Sequence, residues 1–203
     1  MRMHEGGSPV WITILYASIR RHQIHEKWGT QSMKTALLVI DMQNDYLWEK
    51  RKPIFAYDTE RLVAAVNELI HEYHDKLHSE VVYIRHIIQN LPTNRLLFGY
   101  SIAGTEGAEL YSGLDIVSDY CYDKYVGDAL TNKALRELIA KDGIEKLDLC
   151  GLDECGCVTT TALGAVRRGI KAEISQKGTA TVLPEGKVMK AHEKLRRAGV
   201  ELV

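Results

Sequence analysis

Sulfur is scarce in this chain and unevenly placed. Of four cysteines, Cys150, Cys155 and Cys157 crowd into one short stretch and Cys121 stands apart. That distribution excludes a disulfide framework, and reduced thiols in a cytoplasmic protein are the expectation. Cys155 and Cys157 also lack the two-residue spacing and the second ligand pair of a zinc site. Neither sign of charge is in excess. The 26 basic and 27 acidic residues are mixed along the chain and leave no basic stripe for phosphates, so nucleic acid is not an expected partner. No apolar run approaches the roughly 20 residues that cross a bilayer, which argues against a transmembrane helix and a membrane partner. Internal repeats and low-complexity segments are missing too.

What is present suits one compact domain: 203 residues, 45% of them hydrophobic. Residues 1–32 differ in character. They carry Gly6-Gly7-Ser8-Pro9, a short apolar run from Val10 to Ala17 and the basic Arg20-Arg21-His22. Little positive charge precedes the apolar run and no clear cleavage site follows, so it does not read as a signal peptide. The expectation is an N-terminal extension over 1–32 outside the core fold and a core domain over 33–203, with Met33 as a second candidate start.

From Thr35 short apolar runs alternate with segments of helical period. The runs are Ala36–Ile40, Val81–Ile84, the less apolar Tyr120–Tyr122, Leu147–Cys150, Ala172–Ile174 and Val200–Val203. Between them, Leu62, Val63, Val66, Leu69 and Ile70 share one helical face, as do Leu135, Leu138 and Ile139. A further helix begins near Cys157 and stops at Gly169, and another runs from about Lys187 to Arg197. The fold class expected is α/β: a three-layer α/β/α doubly wound sheet of about six mainly parallel strands, order 3-2-1-4-5-6.

Doubly wound sheets bind ligands beyond the carboxyl ends of their strands. Three reactive side chains fall at such ends: Asp41 after the first strand, Lys124 after the third and Cys157 after the fourth. A helix N-terminus and a nearby ammonium would both favour the Cys157 thiolate, and a carboxylate in reach could move protons. Singly, each has a plain reading as a buried small hydrophobe or a turn residue. The combination is harder to dismiss.

The motifs sharpen the point. Val39-Ile40-Asp41-Met42-Gln43-Asn44-Asp45-Tyr46, the segment Gly104-Thr105-Glu106-Gly107-Ala108-Glu109-Leu110, Lys124 ahead of Asp128-Ala129-Leu130, and Gly151-Leu152-Asp153-Glu154-Cys155-Gly156-Cys157-Val158-Thr159-Thr160-Thr161-Ala162 occur in that order. Together they resemble the isochorismatase-like cysteine hydrolases over residues 35–203. The resemblance implies Asp41 as catalytic carboxylate, Lys124 as catalytic lysine and Cys157, not Cys155, as nucleophile. It also implies an oxyanion hole from the backbone N–H groups of Asp153 and Cys157, aimed by a cis peptide at Leu152–Asp153.

Nicotinamidases of that family hold a metal through an Asp-x-His pair and a second histidine. Here Ile84 and Tyr100 stand in two of those places and only His86 remains, so the resemblance implies a member with no metal and no cofactor. His86 then reads as a partly buried polar residue at a strand end. The expected reaction is cleavage of a small amide or ureido C–N bond through a thioester on Cys157, with a small-molecule substrate and a homo-oligomer, dimer or tetramer. Two alternatives stay open: a vinyl-ether hydrolase of isochorismate type in which the thiol is incidental, and a non-hydrolytic thiol protein pairing Cys155 with Cys157. One difficulty attaches to the order 3-2-1-4-5-6, because it sets Lys124 two strands, or about 10 Å, from Asp41. Tyr46, Trp48, Leu97, Phe98, Tyr100 and Tyr125 are candidates for an apolar pocket, with core or interface packing as the plainer reading.

Overall fold

The structure, a computed structural model, describes residues 33–203; the extension expected over 1–32 lies outside the described residues. Six strands form one parallel sheet: β1 (Thr35–Ile40), β2 (Ser79–His86), β3 (Cys121–Lys124), β4 (Lys146–Gly151), β5 (Lys171–Thr179) and β6 (Glu201–Leu202). Their order is 3-2-1-4-5-6, as expected. The helices are the short α1 (Asn44–Leu47), α2 (Thr59–His74), the short α3 (Pro92–Leu97), α4 (Lys133–Asp142), α5 (Thr159–Arg167) and α6 (Glu185–Arg197). Among the described residues no helix is long and apolar enough to cross a membrane.

The central strand shows why the sheet is covered on both faces. Every residue of β1 is buried. Its alternation sends Ala36, Leu38 and Ile40 into a core shared with Leu135, Leu138 and Ile139 of α4, Ala162 and Ala165 of α5 and Leu195 of α6. Leu37 and Val39 enter the opposite core with Leu62, Val66, Leu69, Ile70 and Tyr73 of α2. A strand buried on both faces reads as a continuous apolar run, and that is the sequence of β1. Each fully buried Leu or Ile contributes about 1.5–3 kcal/mol, so this strand is the best-anchored part of the sheet.

Caps end the helices where their residues dictate. Asp58 accepts from the Arg61 N–H at the start of α2, and Asn132 accepts from the Leu135 N–H at the start of α4. Gly143 closes α4 with a φ of +64°. The carboxyl ends of β1, β3 and β4 converge on one edge of the domain, and the residues just past them build the site.

Candidate active site

Asp41 follows β1 in the left-handed region at φ +54°, uncommon for a residue with a Cβ and tolerated best by Asp and Asn. Its N–H donates to the Ile84 carbonyl, which ties the turn to β2. On the other side β4 ends at Gly151, whose φ is +99° and where a Cβ would stand 2.1 Å from the Ile40 carbonyl oxygen. Only glycine allows β4 to pass β1 that closely.

Beyond Gly151 the chain does not enter α5 directly. Glu154–Val158 forms a π-type turn with the Thr159 N–H donating to Glu154, broken at Gly156 (φ −106°, ψ −107°). Cys157 sits in this turn rather than in the first turn of α5, where the sequence placed it. Asp153 shapes the turn. Its Oδ1 accepts from the Cys155 N–H at 3.0 Å and from Thr181 Oγ1 at 2.9 Å, and its Oδ2 accepts from the Tyr57 hydroxyl at 3.0 Å. The Asp153 N–H itself meets no acceptor among the described residues. The cis peptide expected at Leu152–Asp153 is not found: all peptide bonds among the described residues are trans. Gly151 makes the turn instead, through its positive φ.

Lys124 is the last residue of β3 and its side chain is wholly buried. Its Nζ donates to Asp41 Oδ2 at 2.9 Å and to Cys157 Sγ at 3.0 Å. One ammonium therefore joins the three side chains singled out in the sequence, and the roughly 10 Å separation of the strands is closed by the inward reach of the lysine. Asp41 Oδ1 is buried and has no hydrogen-bond partner among the described residues. Burial pulls the Lys124 ammonium down, but the Asp41 and Cys157 charges outweigh it and leave the pKa above the ordinary lysine value. Cys157 moves the other way from expectation. Burial first, then the Asp41 carboxylate, push its thiol up to about 12 against the opposing pull of Lys124. At neutral pH the sulfur holds its proton; the thiolate expected from a helix terminus and a nearby lysine is not the resting form.

The motif Gln43-Asn44-Asp45 has a structural explanation. Gln43 Nε2 donates to the Ala108 and His86 carbonyls while its Oε1 accepts from the His86 N–H. Asn44 Nδ2 donates to the Glu106 carbonyl, and Asp45 Oδ2 accepts from the Ser101 N–H. These bonds lace the Gly-Thr-x-Gly-Ala segment to the site wall. Gly107 is required there, since a Cβ would fall 2.2 Å from the Asp45 carboxylate. Asp128, after β3, accepts from Arg168 at 3.1 Å and from the Leu130 N–H, joining the loop behind Lys124 to the end of α5.

A cavity of about 200 Å³ opens onto Cys157 and Asp41, walled by Tyr46, Phe55, Tyr57 and Tyr100 with His86 and Asp153. A neighbouring cavity of about 430 Å³ shares His86 and Tyr100 and adds Phe98, Tyr125, Gln89 and Asn94. Of the aromatic candidates, Tyr46, Phe98, Tyr100 and Tyr125 thus line cavities at the site. Trp48 lines a separate depression, and Leu97 is exposed. Phe55, Tyr57 and Asp153's side-chain role escaped the sequence reading, because nothing in their local pattern separates them from packing or turn residues.

A metal does not fit these residues. Ile84 is buried in the apolar core, Tyr100 belongs to an aromatic cluster with Phe55 and Tyr46, and His86 Nδ1 already faces the Tyr46 hydroxyl at 3.3 Å. Among the described residues no three His, Cys, Asp or Glu side chains gather as ligands.

Comparison with known proteins agrees with this architecture. The isochorismatase domain family matches residues 35–203. A curated relative, a probable inactive nicotinamidase of Arabidopsis thaliana, is 30% identical over 156 residues, covering 70% of this chain and 75% of that protein. An isochorismatase-like hydrolase from Alkaliphilus metalliredigens superposes with a TM-score of 0.73 at 22% identity, over 84% of this chain and 93% of that one. N-carbamoylsarcosine amidase from Thermoplasma acidophilum superposes with a TM-score of 0.70 at 22% identity, over 84% and 95% of the two chains. With its motifs, its sheet order and this match over the whole described domain, the chain belongs to the isochorismatase family of hydrolases.

Proposed function

We propose that this protein hydrolyses the C–N bond of a small, uncharged amide or ureido compound through a thioester on Cys157. The observation that carries the reading is the single ammonium of Lys124, 2.9 Å from Asp41 and 3.0 Å from Cys157, behind a cavity that Asp41 and Cys157 line. In this scheme Cys157 Sγ attacks the carbonyl carbon while its proton passes to Asp41, whose charge already favours the protonated thiol. Lys124 stays charged and balances the negative charge as it moves from carboxylate to sulfur. The N–H groups of Asp153 and Cys157 receive the oxyanion. Collapse of the tetrahedral adduct breaks the C–N bond, and Asp41 delivers the proton to the departing amine. Asp41 then takes a proton from water as the water attacks the thioester, releasing the acid and restoring the thiol.

The amidase named among the structural relatives agrees with this chemistry, and so does the charge of the lining. Asp41 and Asp153 both face the smaller cavity, no lysine or arginine among the described residues lines either cavity, and Lys124 is shut away behind them. A dicarboxylate such as isochorismate would meet repulsion without a cation to bind it, which weighs against the vinyl-ether alternative. The test is direct. Ammonia release from a panel of neutral carboxamides and ureas is expected, with no pyruvate released from isochorismate; the reverse pattern would overturn the proposal.

A further inference from the structure

His86 ends β2 and forms part of the wall of both cavities, as does Tyr100. A substrate with its scissile group against Cys157 and its body in the larger cavity must pass these two side chains. The bonds around His86 decide which proton it carries. Ser101 is fully buried, and its hydroxyl has one side-chain partner, the Tyr46 hydroxyl at 2.8 Å. A buried hydroxyl donates wherever an acceptor is in reach, so the Ser101 proton lies on the Tyr46 oxygen. The Tyr46 proton is then left to point at His86 Nδ1, 3.3 Å away. Burial, followed by the Asp41 charge, raises the Tyr46 pKa and keeps that phenol a donor. Burial and the Lys124 ammonium lower the His86 pKa and keep the ring neutral. A neutral ring that accepts at Nδ1 carries its proton at Nε2. That nitrogen meets no protein partner among the described residues and is not an orphaned buried atom. Gln43 bonds the His86 backbone on both sides and holds the ring's origin in place.

We infer that His86 is a specificity-determining residue: its Nε2–H is a fixed donor between the two cavities that selects amides or ureas bearing a hydrogen-bond acceptor beside the scissile group. The inference rests on the amide-hydrolase reading of the same cavity. Such an acceptor is a ring nitrogen or a second carbonyl oxygen, and the aromatic walls at Tyr100, Phe98 and Tyr125 suit a flat body behind it.

The test compares benzamide with the three pyridine carboxamides, which match it in size and differ in the presence and position of a ring acceptor. The full chain is expected to favour at least one pyridine isomer over benzamide by roughly 3- to 10-fold in kcat/KM, carried in KM, the value of one neutral hydrogen bond. His86→Ala should erase the preference, bringing kcat/KM for the favoured pyridine isomer down to that for benzamide, and His86→Gln, which keeps an N–H donor, should restore part of it. Nitrogen-15 spectra of the His86 ring, assigned by difference from His86→Ala, should show the proton on Nε2, and Tyr46→Phe should disturb that assignment. Added pyridine carboxamide should shift Nε2 where benzamide does not. Amide turnover with a preference indifferent to His86→Ala overturns this inference and leaves the amide reading standing. Absence of turnover on every amide overturns the amide reading, and the ring spectra still decide His86: a proton on Nδ1, or an Nε2 unmoved by any of the compounds, overturns its role.

Discussion

Lys124 reaches past β2 to place its ammonium 2.9 Å from Asp41, a residue two strands away in the sheet. The pair is almost wholly shut off from solvent, with side-chain exposures of 0% and 4%. An ion pair so buried is weak evidence for a stabilising role, because the loss of hydration offsets much of the attraction. The same ammonium lies 3.0 Å from a cysteine sulfur, and the proposed function gives it a chemical use.

The first prediction separates chemistry from folding. Cys157→Ala leaves the Lys124–Asp41 pair in place and should keep the thermal transition within a few degrees of the wild type. Its amide turnover should fall at least about 10³-fold, whereas Cys155→Ala should be nearly silent. Asp41→Asn should match that loss, since the proton carrier is gone. Lys124→Met should be different in kind, losing turnover and also about 3–5 kcal/mol of stability, because it strands a buried carboxylate. Near-normal hydrolysis by Cys157→Ala would make the thiol incidental.

The second prediction concerns protonation. With its pKa raised to about 12 from an ordinary value of 9, the Cys157 thiol binds its proton more tightly in the folded than in the unfolded chain. The sign follows: this preference adds stability below pH 9 and loses it as pH climbs from about 9 toward 12. Carbamidomethylation of Cys157 by iodoacetamide should therefore rise about tenfold per pH unit between pH 7 and 10 without levelling. A plateau near neutrality would mean a resting thiolate and contradict the burial argument.

Third, exhaustive chelation should leave turnover unchanged, and added zinc or iron should not raise it. Ile84 offers no donor atom, and His86 Nδ1 is taken up by Tyr46. Activity lost with chelator and regained with metal would show a ligand set that these residues do not predict.

A fourth prediction tests the close passage of β1 and β4. Gly151→Ala forces a Cβ to within 2.1 Å of the Ile40 carbonyl oxygen at a φ of +99°. Both strands must shift, and Asp41 and Cys157 lie within a few residues of the contact. The expected loss is above about 3 kcal/mol in urea unfolding, with turnover falling in whatever folds. Gly143→Ala, whose Cβ would meet no atom of the described residues within 4 Å beyond its chain neighbours, is the control and should show only the cost of its φ of +64°.

These cases show what the sequence carries and what it does not. The apolar run of β1 and the 3.6-residue spacing of Leu62, Val66, Leu69 and Ile70 are local signals, and the structure places each where its period demands. Asp41, Lys124 and Cys157 were legible because motif order ties them to strand ends. The state of Cys157 was not, because helix-terminus reasoning assumes a regular first turn, and the π-type turn with its enclosing aromatic wall substitutes burial for that field. The links from Ser101 through Tyr46 to His86, and from Tyr57 to Asp153, span 55, 40 and 96 positions in sequence and leave no local pattern to read.

The last prediction tests the proposed role of the Asp153 N–H as an oxyanion donor. The Asp153 carboxylate takes three donors, from Tyr57, Cys155 and Thr181, so the orientation of its own N–H depends on all of them. An oxyanion exists only in the tetrahedral state, and a change that misdirects its donor should lower kcat while leaving KM alone. Tyr57→Phe keeps the ring in the cavity wall and removes one donor, with an expected kcat loss of roughly 3- to 10-fold. Thr181→Val should act alike. Because both changes loosen one carboxylate, their double variant should fall short of the product of the single losses. Asp153→Ala removes the anchor and should reach roughly 10²-fold, near the loss of an oxyanion donor itself. If Tyr57→Phe instead raises KM at constant kcat, the hydroxyl binds substrate in the ground state, and Asp153 has no part in holding the oxyanion through it.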